Sequence, residues 1–371
     1  MSIFFGVPLE QFFLQRTHST LQSFSSFRPF LNLFGRPILT VLSEYSSPNI
    51  AKKFHVGHLR STIIGAFLIN LYRTCGWETV ALNYLGDWGK QFGLIAVGYE
   101  KYGSDEAMKQ DPIKHLYEVY VKINADAEAD ESVHDAARAY FKRMEDGEES
   151  ALLKWRQWRA DSIERYKGEY RVLNVEFDEY IGESMVGREV QLEAIQKLTD
   201  MGLVEVSENA TRIDLETKYK LGKPILLKTG ESRQHFRVTD ADSLPDGTTI
   251  YLTRDIGGAI ERWHKYSFDK MIYVVANQQD MHVAQFFKIL GLMGYEWADR
   301  LEHINFGMVT GMSTRKGTAV FLDQIIKDSQ DVMLEQMQKN EEKYKQIEDP
   351  EYVAREIGIT AIKVQDMQAK R

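Results

Sequence analysis

Two imidazoles three residues apart, His55 and His58, flank Gly57 in the run Asn49-Ile50-Ala51-Lys52-Lys53-Phe54-His55-Val56-Gly57-His58. Neutral or charged, they can donate hydrogen bonds to phosphate oxygens, and Gly57 lets a phosphate or a base approach the backbone. Lys52 adds a positive charge. A second cationic set, Ser313-Thr314-Arg315-Lys316, lies between Gly311 and Gly317. Donors from both sides could clamp a triphosphate and stabilise the charge that gathers on it. Neither set brings a nucleophile, and phosphoryl or nucleotidyl transfer needs no covalent one. The fixed-lysine pattern G-x-x-x-x-G-K-[ST] is absent, which excludes a P-loop NTPase. A plainer reading of the first set stays open: a turn glycine beside a histidine that caps a helix.

A third set is acidic. Glu44, Glu183 and Asp255 are joined by Tyr251, one helical turn or two strand steps from Asp255. Carboxylates beside an aromatic ring suit a guanidinium, which has planar donors and delocalised charge. Taken singly, each acid also reads as a solvated surface charge, or for Asp255 as a helix cap.

These residues must be positioned by alternating strands and helices. The apolar run 38–45 reads as a buried strand. The run 59–75 reads as a helix with Ile63, Ile64, Phe67, Leu68 and Leu71 on one side, stopped by Gly76, and 79–85 as a second strand. The first histidine set then sits at a helix start, where unpaired N–H groups and a partial positive charge favour an anion. Two parallel strands joined through a helix make half of a doubly wound sheet. Leu85-Gly86-Asp87-Trp88-Gly89-Lys90-Gln91 is a glycine-punctuated loop at the end of the second strand.

Residues 105–200 are charged and helical in pattern, with Trp155 and Trp158 among Arg156, Arg159 and Arg165. A solvated insertion laced with i,i+4 ion pairs is the favoured reading there, and a nucleic-acid contact the lesser one. Further strands are expected at 211–215, 224–227, 249–253, 271–276 and 304–309. Helices are expected to open at Asp255, at 278–282 and near Leu322, and a turn-rich surface loop spans 229–248. Each polar cluster thus follows a strand, where a doubly wound sheet places its ligands.

The chain has 371 residues, 43% of them hydrophobic, enough for two or three domains. No apolar run reaches the roughly 18 residues of a membrane span. One cysteine, Cys75, excludes an internal disulfide and a cysteine-rich zinc site, and is expected as a core thiol. A net charge of −8 argues against non-specific binding along a nucleic-acid backbone, while leaving room for a local basic face. Residues 1–36 are rich in Phe and hold a single acid, Glu10. They read either as a mitochondrial transit peptide or as the remnant of a preceding domain.

Five segments in order resemble class I aminoacyl-tRNA synthetases, in the form carried by arginyl-tRNA synthetases. They are Ser46–Lys52 leading into His55-Val56-Gly57-His58, Asn83–Gly93, Tyr251–Gly257, Gln278–His282 and Met312–Gly317; the closing Val364-Gln365-Asp366-Met367 is similar too. The resemblance implies a Rossmann-like doubly wound parallel α/β sheet over 37–327, with a helical insertion at about 105–200 and a helical tail over 328–371. It implies ATP as substrate with Mg²⁺ beside it, L-arginine, and tRNA(Arg) reached through the catalytic core, with no residues set aside for a metal. His55, Gly57 and His58 would hold the ATP phosphates, with Lys52 adding charge. Met312, Ser313, Arg315 and Lys316 would close over pyrophosphate, and His282 would meet the adenosine. Asn49 would hold the amino acid near its α-amino or carboxylate end. Tyr251 and Asp255 would receive the guanidinium, with Glu44 and Gln279 lining the same pocket and Glu183 as a further partner.

The family carries an amino-terminal domain that touches the tRNA elbow and a carboxyl-terminal domain that reads the anticodon. The expectation here is a catalytic core without the anticodon-binding domain, monomeric, in the cytoplasm or alternatively the mitochondrion. The activity implied is arginine–tRNA ligation. An arginine-activating relative that serves a non-tRNA acceptor, and a catalytically silent binding module, are the alternatives.

Overall fold

The computed structural model describes residues 39–207, 210–229, 247–249, 251–307 and 321–368. The amino end 1–36, most of the loop 229–248 and the set Met312, Ser313, Arg315 and Lys316 lie outside the described residues.

In chain order the first elements are β1 (Thr40–Glu44), α1 (Val56–Thr74), β2 (Glu78–Leu85), α2 (Lys90–Tyr102), α3 (Asp105–Gln110), α4 (Pro112–Ala129), α5 (Glu131–Glu145) and α6 (Glu149–Val172). Next come β3 (Glu179–Gly182), α7 (Arg188–Asp200), β4 (Val204–Ser207), β5 (Ala210–Ile213), α8 (Glu216–Tyr219), β6 (Ile225–Thr229) and β7 (Gly247–Thr249). The last are α9 (Tyr251–Tyr266), β8 (Lys270–Ala276), α10 (Asp280–Leu292), β9 (Leu301–Phe306), α11 (Leu322–Gln338), α12 (Glu341–Tyr344) and α13 (Pro350–Gln368). No described helix is long and apolar enough to cross a membrane.

Five strands form one parallel sheet in the order β3-β2-β1-β8-β9. The chain runs outward from β1 to β2 and β3, then returns to β8 on the other side of β1. The order therefore reverses between β1 and β8, the point at whose carboxyl side sheets of this kind place their ligand crevice. Residues of β1 alternate between two cores. Val41 packs with α1, α2, α4 and α6, while Leu42 packs with α7, α9 and α10, and both are fully buried. Burial of each such side chain contributes about 1.5–3 kcal/mol. A second, antiparallel sheet, β4-β5-β6-β7, shares the Leu42 side of the core.

Several expectations need correction. Helix α1 opens at Val56, three residues ahead of the reading, because its own histidines cap it. Its buried side is Leu59, Ser61, Thr62, Ile63, Gly65 and Ile69, whereas Phe67 and Leu71 face solvent at 47% and 46% exposure. Gly65 sets that rotation: a Cβ there would lie 2.1 Å from the ring of Tyr45, so the helix presses directly on the end of β1. Cys75 is exposed, not in the core. The strand expected at 249–253 lies earlier, as β7 ending at Thr249, and α9 begins at Tyr251. Leu252, Ile256, Ala259 and Ile260 recur at helical spacing and bury one face of α9, and that period outweighs the β-prone run before it. Asp255 thus lies within a helix and does not follow a strand of the parallel sheet. Strand β9 lies about three residues earlier than the expected 304–309.

Trp155 and Trp158 are core residues at 7% and 4% exposure, which removes the nucleic-acid reading of α6. Trp155 donates its indole N–H to the Asp87 carbonyl at 2.8 Å. The neighbouring arginines pair with acids: Arg156 with Glu149, Arg159 with Asp87, and Arg165 with Glu169 and Asp323. One tie spans almost the whole described chain. Arg60 on α1 donates from Nε and Nη2 to Asp366 Oδ1 on α13 at 2.9 and 2.7 Å, and from Nη1 to the Gly307 carbonyl at 2.7 Å.

Candidate active site

At one end of the crevice His55 is the N-cap of α1, extended at φ −129° and ψ 171°. Its Nδ1 accepts the Gly57 N–H at 3.1 Å, and Nδ1 of His58 accepts the His55 N–H at 3.3 Å. The two bonds form a reciprocal cap, worth about 1 kcal/mol. The rings stack with centroids 3.9 Å apart. Gly57 is required here for the cap itself, since a Cβ would sit 2.9 Å from the His55 ring. Because each Nδ1 accepts, each neutral ring carries its proton on Nε2, directed away from the cap. Burial, then the nearby Lys52, lowers the His55 pKa; burial, then His55 and Lys52, holds His58 well below the usual histidine value. The pair is therefore a set of neutral N–H donors at neutral pH. The capping and phosphate-facing readings describe two nitrogens of the same rings.

The loop that leads into this cap is strained and tightly held. Ser46, Ser47 and Ala51 have φ of 70°, 50° and 62°, conformations that persist only where the surroundings enforce them. Ser46 donates its N–H to Ser61 Oγ at 2.9 Å, and its hydroxyl meets that of Tyr170 at 2.7 Å. The buried hydroxyl of Tyr166 lies 2.7 Å from the Asn49 carbonyl and 2.6 Å from that of Lys52, so α6 clamps the loop. Asn49 packs on Gly86, where a Cβ would stand 1.9 Å from its Oδ1. That contact explains the glycine in Leu85-Gly86-Asp87. Asp87 itself is fully buried. It accepts from Arg159 Nε at 2.6 Å and from the Ser184 N–H and hydroxyl at 2.9 and 2.8 Å.

The other end is acidic, and its acids already have partners. Tyr251 and Asp255 lie one turn apart on α9, with Tyr251 58% exposed. Asp255 Oδ2 is 2.5 Å from His282 Nε2 on α10. Glu44, at the end of β1, meets Arg262 Nη2 at 2.7 Å, and Glu183 meets Arg254 Nη1 at 3.4 Å. Burial raises the Glu44 carboxyl to about 7, opposed by Arg262 and helped by Asp255. Burial likewise raises Glu183 to about 8, opposed by Arg254 and helped by Asp255 and Asp87. Asp255 acts on both, so the three acids form one electrostatic unit. Gln279 is exposed in the turn Asn277–Gln279 that ends β8.

The chain matches the family model described as tRNA synthetases class I (R), catalytic domain, over residues 36–371. It belongs to that family. It is 55% identical over 340 residues to the cytoplasmic arginine–tRNA ligase of Saccharomyces cerevisiae, covering 89% of this chain and 53% of the relative. It is 47% identical over 339 residues to the mitochondrial arginine–tRNA ligase of the same yeast, covering 89% of this chain and 50% of the relative. The chain thus spans about half the length of these relatives. The fold is shared with the crystal structure of arginyl-tRNA synthetase from Plasmodium falciparum, at a TM-score of 0.70 and 23% identity, covering 91% of this chain and 54% of the other.

In this class I synthetase catalytic domain several contributors escape a reading of motifs. Arg262 follows Asp255 by seven residues, two helical turns along one face, and that period was a usable signal. Arg254, Tyr84, Tyr166 and Tyr170 gave none, since their roles depend on packing between distant segments. Among the described residues no group of three or more His, Cys, Asp or Glu side chains could hold a metal ion.

Proposed function

We propose that this chain carries out arginine–tRNA ligation: it activates L-arginine with ATP and transfers it to tRNA(Arg). The observation that carries this reading is a neutral histidine donor pair after β1 and a three-acid cluster, in which Glu44 ends β1, Glu183 follows β3 and Asp255 on α9 bonds His282 beyond β8. The names and identities of the relatives support the same chemistry.

In the first step an arginine carboxylate oxygen attacks the α-phosphorus of ATP, and the bond to pyrophosphate breaks. His55 and His58 offer Nε2–H groups to phosphate oxygens as charge moves onto the leaving group. Fixed neutral donors stabilise that charge without first having to reorganise. Gly57 keeps the cap open, Lys52 adds positive charge, and Met312, Ser313, Arg315 and Lys316 retain the pyrophosphate role that the sequence implies. Asp255 and Tyr251 receive the guanidinium, with Glu44, Gln279 and Glu183 around it, and Asn49 holds the α-amino or carboxylate end. His282, bonded to Asp255, meets the adenosine. In the second step a terminal ribose hydroxyl of tRNA attacks the activated carbonyl and AMP leaves.

The catalytic domain is assigned to 37–327 with its insertion at about 105–200. The tail of 328–371 is better counted from Leu322, because α11 runs unbroken through 327. The cytoplasm is the proposed compartment and a monomer the proposed state. The test is ATP–pyrophosphate exchange with L-arginine, with and without tRNA(Arg), beside direct charging. Arginine-dependent exchange with charging is expected. Exchange of equal rate with L-lysine or L-citrulline would reject the specificity, and no exchange in either condition would reject the activity.

A further inference from the structure

Arg262 is an arginine side chain that the protein itself places in the acidic end of the crevice. It is 6% exposed. Its Nη2 pairs with Glu44 on β1 at 2.7 Å, and its Nη1 donates to the Tyr273 hydroxyl on β8 at 3.3 Å. The guanidinium carbon lies 5.0 Å from the ring centroid of Tyr84 on β2 and 5.8 Å from that of Tyr273. One side chain of α9 thus touches three strands of the parallel sheet. Asp255 lies two turns earlier on the same helix, and Tyr251 one turn before that. The angle at which α9 meets the sheet decides where both of them point, and the Arg262 fork ties the helix to β1 and β8.

We propose that Arg262 is a positioning and specificity-determining residue: its buried guanidinium keeps Glu44 an ionised carboxylate and holds the face of α9 that receives the substrate's cationic side chain. The inference rests on the proposed use of this pocket for arginine. Glu44 is 7% exposed, and a buried carboxylate without a charge partner takes up a proton. Arg262 is the cation that opposes this. The other groups that face the pair are Asp255 on α9, Tyr84 on β2, Tyr273 on β8 and Glu183 after β3, and Asp255 is in turn bonded to His282 on α10. The two further acids and both phenols disfavour a second negative charge, so no neighbour replaces Arg262. A lysine would keep the charge and lose the planar fork that reaches carboxylate and hydroxyl together.

The sign of the pH effect follows. With Arg262 present Glu44 titrates at about 7, so its attraction for a cationic ligand is full above that value and fades below it. Without Arg262 the same loss occurs at higher pH. The test is calorimetric titration of the full chain with L-arginine, and with its neutral isostere L-citrulline, from about pH 6 to pH 9, in wild type, Arg262→Met, Arg262→Lys and Glu44→Gln. In Arg262→Met the pH of half-lost arginine affinity is expected to rise by about one unit or more, which near pH 7 is a loss of about fivefold or more. The preference over citrulline shrinks, and both recover toward pH 9. Arg262→Lys keeps the wild-type inflection, and Glu44→Gln abolishes it. A loss in Arg262→Met that is equal at every pH would overturn the proposal, as would a wild-type inflection that survives in Glu44→Gln. Should Arg262→Met not fold, the lysine and glutamine variants decide it by the same criteria. Wild-type protein that does not prefer arginine to citrulline would instead reject the underlying functional reading.

Discussion

His55 and His58 owe their geometry to backbone groups within three residues, whereas the acids opposite them meet partners brought from elsewhere in the chain. Even the shortest of those acid contacts, Asp255 with His282, joins residues 27 positions apart. The histidine end is built on a local device, a capped helix start whose tautomers are set by its own turn, although α6 clamps the loop before it. The acidic end is a packing product, in which Arg262, Arg254 and His282 occupy Glu44, Glu183 and Asp255. The first should tolerate distant change and fail on local substitution. The second should respond to substitutions on any of three elements.

The largest effect is expected where both ends share a support. Asp87→Ala leaves Arg159 and Ser184 without their buried partner, and should cost about 3–5 kcal/mol in urea unfolding. A loss under about 1 kcal/mol would show that the two ends do not depend on that joint. His58→Ala should slow adenylate formation about a hundredfold with little change in arginine affinity. Equal loss of both would make the histidine purely structural and erase the contrast. Asp255→Asn should weaken arginine affinity by about 1.5–3 kcal/mol while leaving ATP affinity intact. Unchanged arginine affinity would remove Asp255 from the pocket.

The smallest effect is in pH-dependent stability. His55 and His58 have folded pKa values below their ordinary 6.5, so the unfolded chain takes up protons first as pH falls. Their contribution is therefore complete above about 6.5 and is lost as pH drops from there through the lowered folded values. Glu44, Glu169 and Glu183, raised to about 7, 7 and 8, act with the opposite sign. The clean measurement is the difference between wild type and His55→Asn/His58→Asn, since Asn still caps but does not titrate. A difference that stays flat from pH 8 to pH 5 would mean that the imidazoles are not held neutral by the fold.

This contrast also explains what could be read from the sequence. The parallel sheet, α1, β8, α10 and the histidine turn were legible because each is signalled by local period, glycine placement or capping. The direction in which α1 faces was not, because Tyr45 against Gly65 decides it, and so Phe67 and Leu71 were placed inward wrongly. Tyr251 and Asp255 were identified correctly as neighbours. The helix was expected from Asp255 onward and begins at Tyr251, since the β-prone residues around 250 masked its first turn. Of the internal cations, Arg262 left a trace in its helical spacing from Asp255, whereas the pairings of Arg262 with Glu44 and of Arg254 with Glu183 did not, because they join segments far apart in the chain.

Strand β1 has a further consequence, which concerns synthesis. It is the centre of the sheet, yet its second neighbour, β8, and the Asp269 carboxylate that receives its Thr40 N–H stand 229 residues downstream. A ribosome adding roughly 5–20 residues per second leaves β1 with one unpaired edge for on the order of ten to fifty seconds. That edge carries Val41 and Leu42, which the finished molecule buries completely. Arg60 waits longer still, since its Asp366 is 306 residues away. The nascent chain thus shows a fully buried central strand early and covers its second edge late, an exposure of the kind that invites edge pairing.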